Sequence, residues 1–190
     1  MPDKDSVSMI HENAKEAADR ISTEIMESIH GKKVVLCGSG CDSACTDTNH
    51  HRDCWLQKRR SLRDTLIGDL FIAPVILDDI IDGRNHHVTE TEIRFCKDHA
   101  DAIVLFTGNG PGINREFEVF RQQRELLKKL LVFVPADFYP YIKPASVGPF
   151  AEALNHFKMR QGGLTFAYNP MDMYAALRKT LLDFFILPTG

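Results

Sequence analysis

Short apolar segments alternate with segments of helical spacing along most of the chain, and this alternation restricts the fold more than any other feature. Such an order of elements predicts βαβ units, in which parallel strands are joined by helices. The apolar segments lack polar–apolar alternation, so we expect helices to cover both faces of the sheet. The sequence therefore predicts an α/β fold, doubly wound, with a five-stranded and mostly parallel sheet. The predicted strands cover residues 33–37, 70–77, 102–106, 131–134 and 164–168.

The segments between these strands carry apolar residues at steps of three and four, which is typical of helices that pack by one face. Pro74 predicts that the second strand lies at a sheet edge or bends, because proline lacks the N–H that a central strand donates. Thr89 followed by Glu92 predicts a capping box at the start of a helix. Helices are predicted over residues 8–30, 57–68, 89–99, 114–130, 146–157 and 169–185.

The first predicted helix carries a continuous apolar stripe and ends before Gly31, where glycine suits a C-terminal cap. We divide the chain into an N-terminal helix, residues 1–30, and an α/β domain, residues 31–190. The stripe either packs on this domain or pairs with a second copy of the chain, and both alternatives stay open. Its residues are Ile10, Ala14, Ala17, Ile21, Ile25 and Ile29.

The composition argues against several functional classes. The chain has 190 residues, of which 44% are hydrophobic and 26% charged, as in an ordinary globular domain. A net charge of -3 provides no field for DNA or RNA, so we expect no nucleic-acid partner. No apolar run approaches the roughly 20 residues of a membrane span, and residues 1–6 lack the apolar core of a signal peptide. Five cysteines, an odd number, favour a reducing, cytoplasmic compartment.

Two glycine-containing loops follow the first and third predicted strands, where open α/β sheets bind their ligands. After the first strand, Gly38, Ser39 and Gly40 let backbone N–H groups approach a ligand closely, although the same residues also suit a tight turn. The second loop, residues 107–114, contains three glycines and a proline. Its predicted ligand-binding residues are Asn109, Gly110, Gly112 and Asn114.

Glu116 follows the second loop and shares the apolar face of the next predicted helix. At about 100° per residue it falls beside Phe117 and Phe120, whereas Glu118 lies opposite. An ionised carboxylate on a core-facing stripe is costly unless it is paired or takes part in chemistry. Glu116 is therefore our candidate catalytic or ligand-binding carboxylate. The alternative is that it stabilises the helix dipole or pairs with Arg115 or Lys58.

The two loops belong to a longer series with residues 61–66, 85–92, 101–106 and 110–117. This series, within about residues 33–135, resembles the bacterial proteins related to nucleoside 2-deoxyribosyltransferases and TIR domains. Those families share a flavodoxin-like sheet and cleave or exchange N-glycosidic bonds. Their pattern is a glycine loop after the first strand, then an aspartate, an apolar strand and Ser-Pro-Gly-x-x-x-Glu, with Gly110 here in place of the serine. By this resemblance Glu116 is the catalytic glutamate.

The resemblance implies an N-glycosidase that hydrolyses the base–ribose bond of NAD or a related nucleotide, without a cofactor of its own. A carboxylate beneath the sugar can stabilise oxocarbenium charge or attack C1′. Such families often act as antiphage effectors that deplete a nucleotide, which implies a homo-oligomer or an assembly with a regulatory partner. Two alternatives stay open, a nucleoside deoxyribosyltransferase and a nucleotide-binding sensor without turnover.

Arg59 and Arg63 lie four residues apart on one face of the second predicted helix. Guanidinium groups suit the phosphates of a nucleotide, and Arg63 is a predicted substrate-binding residue. The alternative is a solvated helix face on which the basic cluster of residues 58–60 and Arg63 pairs with Asp64.

Cysteine and histidine side chains are concentrated after the first strand. Cys41, Cys45, His50 and Cys54 are residue types that ligate zinc, and His51 is an alternative ligand. Their spacing matches no strong zinc signature, so the other interpretation is a polar loop with incidental thiols. A zinc ion held there would be structural, because four protein ligands close its coordination.

Overall fold

The computed structural model describes residues 4–38, 55–80, 88–107, 111–136, 149–161, 163–169 and 171–186. Its strands are β1 (Lys33–Gly38), β2 (Ala73–Ile76), β3 (Ala102–Phe106), β4 (Leu130–Pro135) and β5 (Leu164–Tyr168). Its helices are α1 (Lys4–Ile29), α2 (Trp55–Leu70), α3 (Val88–His99), α4 (Pro111–Gln122), α5 (Arg124–Leu127), α6 (Pro149–Arg160) and α7 (Met173–Ile186). A one-turn 3₁₀ helix, Leu77–Asp79, follows β2.

The five strands form one sheet in which every neighbouring pair is parallel, and this confirms the predicted α/β doubly wound fold. The strand order is β2-β1-β3-β4-β5. The chain therefore builds the sheet outwards from β1, first to one side and then to the other. β1 and β3 are neighbours, so the segments that leave their carboxyl ends start side by side. In open α/β sheets such a reversal of direction marks the ligand crevice.

Helices cover both faces of the sheet, because successive strand residues point to opposite sides. Leu36 of β1 packs in a buried cluster with Leu66 of α2 and Leu177 of α7. Val35, its neighbour in the strand, belongs to the opposite cluster with Phe117 of α4. Among the helices in the described ranges we find no candidate for a membrane-spanning segment.

β2 lies at one edge of the sheet, as Pro74 predicted. The backbone N–H of Ala73 donates to the carbonyl oxygen of Lys32 at 2.8 Å, so it faces β1. The next residue faces the other way, and the nitrogen of Pro74, which carries no hydrogen, therefore points away from the sheet. The strand is shorter than the predicted 70–77, because Leu70 ends α2 and Leu77 begins the 3₁₀ helix.

The helix predicted over 114–130 is two helices. α4 ends at Gln122, and Gln123 is extended, with φ −92° and ψ 104°, before the short helix α5 begins. Leu126 of α5 is still buried, and Leu130 is the first residue of β4. The apolar spacing continues through the break, so the helical pattern alone does not reveal it.

α1 ends as its sequence predicted. Ile29, its last residue, is buried, and Gly31 follows with φ +71°, a conformation that favours glycine. The helix packs on α7, whereas Ile21 of its apolar stripe is 54% exposed. Packing on the same chain therefore accounts for the carboxyl-terminal end of α1. Pairing of the helix with a second copy stays a prediction, as does the division of the chain after residue 30.

Candidate functional site

The carboxyl ends of β1 and β3 approach each other closely at Gly38. Gly38 pairs with Phe106, and a Cβ at this glycine would lie 2.8 Å from the backbone oxygen and 3.1 Å from the Cβ of Phe106. Gly38 also has φ +151°, which other residues rarely adopt. Strand packing therefore requires glycine at this predicted ligand-binding position, whether or not a ligand binds there.

Thr107 holds the start of the segment that leaves β3. Its backbone N–H and its hydroxyl both donate to the carbonyl oxygen of Phe133, at 2.8 and 2.9 Å. Its own carbonyl oxygen accepts a hydrogen bond of 3.4 Å from the hydroxyl of Tyr168, and burial raises the pKa of that tyrosine. Contacts with β4 and β5 thus fix the point from which the chain leads towards α4.

Three charged side chains come together beyond the carboxyl end of β1. Arg59 comes from α2, Glu92 from α3 and Glu116 from α4, each within the first two turns of its helix. They line one cavity of about 20 Å³. α2 lies on one face of the sheet and α3 and α4 on the other, so the cavity receives side chains from both faces. Its other described lining residues are Cys37, Gly38, Leu77 and Phe120.

Glu116 faces this cavity, not bulk solvent. The residue is half-buried, and its Oε2 atom has no contact with solvent. Phe117 and Phe120 beside it are fully buried, which confirms that Glu116 shares the core-facing side of its helix. Its position at the carboxyl ends of the strands therefore agrees with the position predicted from the helical spacing.

Glu92 was predicted as part of a capping box and not of the site. α3 begins at Val88, and the side chain of Thr89 lies outside the described part of the structure, so the capping box stays a prediction. Glu92 is half-buried and turns to the cavity that it shares with Glu116. A second carboxylate thus belongs to the site, and it was absent from the residues predicted for it.

Arg59 is the largest of the fully buried side chains, with 1% of its surface exposed. Its Nη1 atom donates to the carbonyl oxygen of Leu36 at 3.2 Å. Burial of a guanidinium is costly unless hydrogen bonds and opposite charge compensate for lost hydration. The solvated helix face considered as an alternative is therefore wrong for Arg59.

Arg63, one helical turn further along α2, lies on a half-exposed surface. Its Nη1 atom donates to Asp79 at 2.8 Å and its Nε atom to Asp64 at 2.9 Å. Arg60 also donates to Asp79, at 3.1 Å. These ion pairs agree with the alternative interpretation of Arg63, which does not line the cavity. Its role as a substrate-binding residue stays a prediction.

Cys37 is sensitive to the charges around the cavity. A hydrogen bond with the Cys96 side chain raises the pKa of its thiol well above the usual range, and burial raises it further. The negative charge of Glu116 also raises this pKa, whereas the positive charge of Arg59 lowers it. Cys37 therefore remains a neutral thiol near neutral pH, and both charges act at the end of β1.

Two larger grooves share no lining residue with this cavity. A groove of about 440 Å³ lies between α1 and Phe71 and is mainly apolar. A second, of about 520 Å³, lies between α4 and α6, where Glu118 and Arg121 form an ion pair. Neither lies at the end of β1, so the charged cavity is the better candidate for chemistry despite its small volume.

Many predicted site residues lie outside the described part of the chain or are described only in part. Gly112 and Asn114 lie in the first turn of α4, and nothing further is described for them. Within the described ranges, no group of three or more histidine, cysteine, aspartate or glutamate side chains is arranged to hold a metal ion. The predicted site residues outside these ranges are Ser39, Gly40, Cys41, Cys45, His50, His51, Cys54, Asn109 and Gly110.

Comparison with known proteins does not assign a family. No family model matches the chain, and no curated protein matches it significantly. The likeness to deoxyribosyltransferase-related and TIR-related proteins therefore stays a prediction from the sequence motifs.

Proposed function

We propose that this chain is an N-glycosidase that hydrolyses the bond between base and ribose in NAD or a related nucleotide, with Glu116 as its catalytic carboxylate. The observation that carries the proposal is the environment of Glu116, which is half-buried on a charged cavity beyond the end of β1. Folds of this class also bind their ligands at this place, beyond the carboxyl ends of the strands. A glutamate in bulk solvent would give no such support.

The chemistry needs one well-placed carboxylate. Cleavage of an N-glycosidic bond develops positive charge on the sugar, and a carboxylate can stabilise that charge or form a bond with C1′. Nicotinamide in NAD is already a cationic leaving group, so its departure requires no strong general acid. A partly buried carboxylate acts more strongly on this charge than an exposed one, because water screens it less.

The size of the cavity favours hydrolysis over transfer to a second base. A volume of about 20 Å³ suits one water molecule, and Glu92 and Glu116 both border it. Carboxylate oxygens accept hydrogen bonds from water and can take up its proton. A nucleotide is far larger than this cavity. In the proposal it therefore lies outside the cavity, beyond the carboxyl ends of β1 and β3.

The biological role in this proposal follows from the resemblance to deoxyribosyltransferase-related and TIR-related proteins. An enzyme that consumes a common nucleotide harms its own cell unless it is controlled. We therefore propose a cytoplasmic antiphage effector that becomes active on self-association or on binding a regulatory partner.

The direct test is release of free base. The purified protein is incubated with NAD, nucleoside monophosphates and deoxynucleosides over a range of protein concentrations, and the bases are separated by chromatography. Glu116→Gln should lower the rate at least about 100-fold, as the loss of a group that stabilises transition-state charge does. Glu118→Gln is the matched control, since Glu118 lies on the same helix and pairs with Arg121. We expect its rate to be unchanged.

The outcomes separate the alternatives. Equal base release by the wild type and Glu116→Gln would exclude Glu116 from the mechanism. Exchange with an added free base, without hydrolysis, would indicate a deoxyribosyltransferase. Nucleotide binding without release under every condition would indicate a sensor.

A further inference from the structure

We propose that Arg59 is a positioning residue whose buried guanidinium is the counter-charge that keeps Glu116 ionised beside Glu92. The consequence for catalysis rests on the proposed function of Glu116. The charge balance itself rests on the geometry of the cavity, and it can be measured without any activity.

The charges on the cavity do not cancel. Arg59 is its one described cation, whereas Glu92 and Glu116 are two carboxylates, and Cys37 is neutral. With Arg59 in place, the described lining residues carry a net charge of −1 when both carboxylates are ionised. Without it they would carry −2 around a volume of about 20 Å³.

Two neighbouring elements direct charged groups elsewhere. The 3₁₀ helix contributes Leu77 to the cavity, and its Asp79 accepts hydrogen bonds from Arg60 and Arg63. α6 packs against α4, and its Glu152 and His156 line the separate groove that contains Glu118. The described charged groups that face Glu116 across the cavity are thus Arg59 and Glu92.

Two carboxylates that share a partly buried site do not both ionise easily. A like charge nearby raises the pKa of a carboxyl group, whereas an opposite charge lowers it. Both effects are larger than at the surface, because the surroundings screen them less. Removal of Arg59 should therefore cause Glu92 and Glu116 to retain a proton to higher pH.

Arg59 is well suited to this role because it is held in place and always charged. Its Nη1 atom is fixed by the carbonyl oxygen of Leu36, and only 1% of the residue is exposed. Arginine keeps its proton when buried, whereas lysine loses it more readily. Arg59 and Glu116 both act electrostatically on Cys37, so both charges lie near the thiol at the end of β1.

The first test is the pH dependence of base release. In Arg59→Met the acidic limb of the plot of kcat against pH should move to higher pH by at least about one unit. A shift of this size is the usual effect of one nearby opposite charge on a pKa. Arg59→Lys retains the charge and should keep the limb closer to that of the wild type. Arg60→Met is the matched control on the same helix, and its limb should not move. A merely structural role of Arg59 would lower the rate without moving the limb.

The second test needs no turnover. NMR titration of isotope-labelled glutamate carboxyls, with the Glu116 signal assigned from Glu116→Gln, follows the ionisation of Glu116 directly. Its midpoint should rise in Arg59→Met and return towards the wild-type value in the double variant Arg59→Met/Glu92→Gln. If the wild type releases no base, the proposed function fails, whereas this titration still decides the role of Arg59.

Two results would overturn the proposal. One is an unchanged Glu116 midpoint in a folded Arg59→Met protein, with folding checked by circular dichroism. The other result decides if Arg59→Met does not fold. Loss of the like charge in Glu92→Gln should lower the titration midpoint of Glu116. An unchanged Glu116 midpoint in Glu92→Gln would show that the two carboxylates do not interact and that Glu116 needs no counter-charge against Glu92.

Discussion

Substitution of Gly38 by alanine tests the close approach of β1 and β3 on which the site depends. The new Cβ would lie 2.8 Å from the backbone oxygen of Phe106, and φ at this position is +151°. A non-glycine residue in such a conformation costs about 1–3 kcal/mol, and relief of an overpacked contact costs about 1–3 kcal/mol more. We therefore expect Gly38→Ala to lower the free energy of unfolding by about 2–6 kcal/mol.

The assay is thermal or urea unfolding followed by circular dichroism. A loss of this size lowers Tm by roughly 4–24 °C in a chain of this length. Gly68→Ala is the matched control, because a Cβ at this position in α2 meets no atom within 4 Å. Alanine suits a helix better than glycine, so this control should gain about 0.5–1 kcal/mol.

The opposite signs of the two effects make the test sharp. If Gly38→Ala remains within about 0.5 kcal/mol of the wild type, as an ordinary surface substitution does, β1 and β3 do not meet as described. The cavity at their ends would then lose its structural basis.

Two buried side chains lead to further expected outcomes. The pKa of Cys37 is raised above its ordinary value of 9.0, so the unfolded thiol ionises at lower pH than the folded one. Stability should therefore fall as pH rises above 9.0, and more steeply in the wild type than in Cys37→Ala; parallel unfolding curves would contradict this. Phe117 is fully buried, with ring centroids 5.6 Å from Phe150 and 5.4 Å from Phe157, so Phe117→Ala should cost about 3–5 kcal/mol. The control Met171→Ala, at a residue 89% exposed, should change the urea midpoint little, and equal effects would argue against the described core.

The strands were predictable because buried parallel strands form continuous apolar segments. Residues 102–106 are a fully buried strand with the predicted bounds, and Pro74 correctly indicated an edge. Residues 164–168 are also a strand with the predicted bounds, although this edge strand is only partly buried. The break at Gln123 was not predictable from the same pattern, because Leu126 and Leu130 continue the apolar spacing of α4. Helical spacing shows which residues face the core, and it contains no information on where one helix ends and the next begins.

At the site, helical spacing correctly located Glu116 on the core-facing side of its helix. Arg59 lies on the same stripe of α2 as Leu56, Leu62 and Leu66, so the same spacing indicates its burial. The spacing also selects Arg63, which is paired at the surface. Which of two positions on one stripe is buried depends on the residues that pack against each, and this is a tertiary property.

Glu92 was missed for a different reason. Its spacing of four from Cys96 places both on one side of α3, but a match to a capping motif suggested another role. The motif describes one helix end and contains no information on the side chains of α2 and α4 that line the same cavity as Glu92.

The outward-facing nitrogen of Pro74 bears on how this chain can associate with its own copies. A free strand edge is a template on which an incoming strand can continue the sheet from one molecule to the next. β2 has only four residues, and at Pro74 its outward side has no N–H group for a hydrogen bond with an added strand. Extension of the sheet from one molecule to the next along β2 is therefore disfavoured. Any assembly required for activity would have to form through other surfaces.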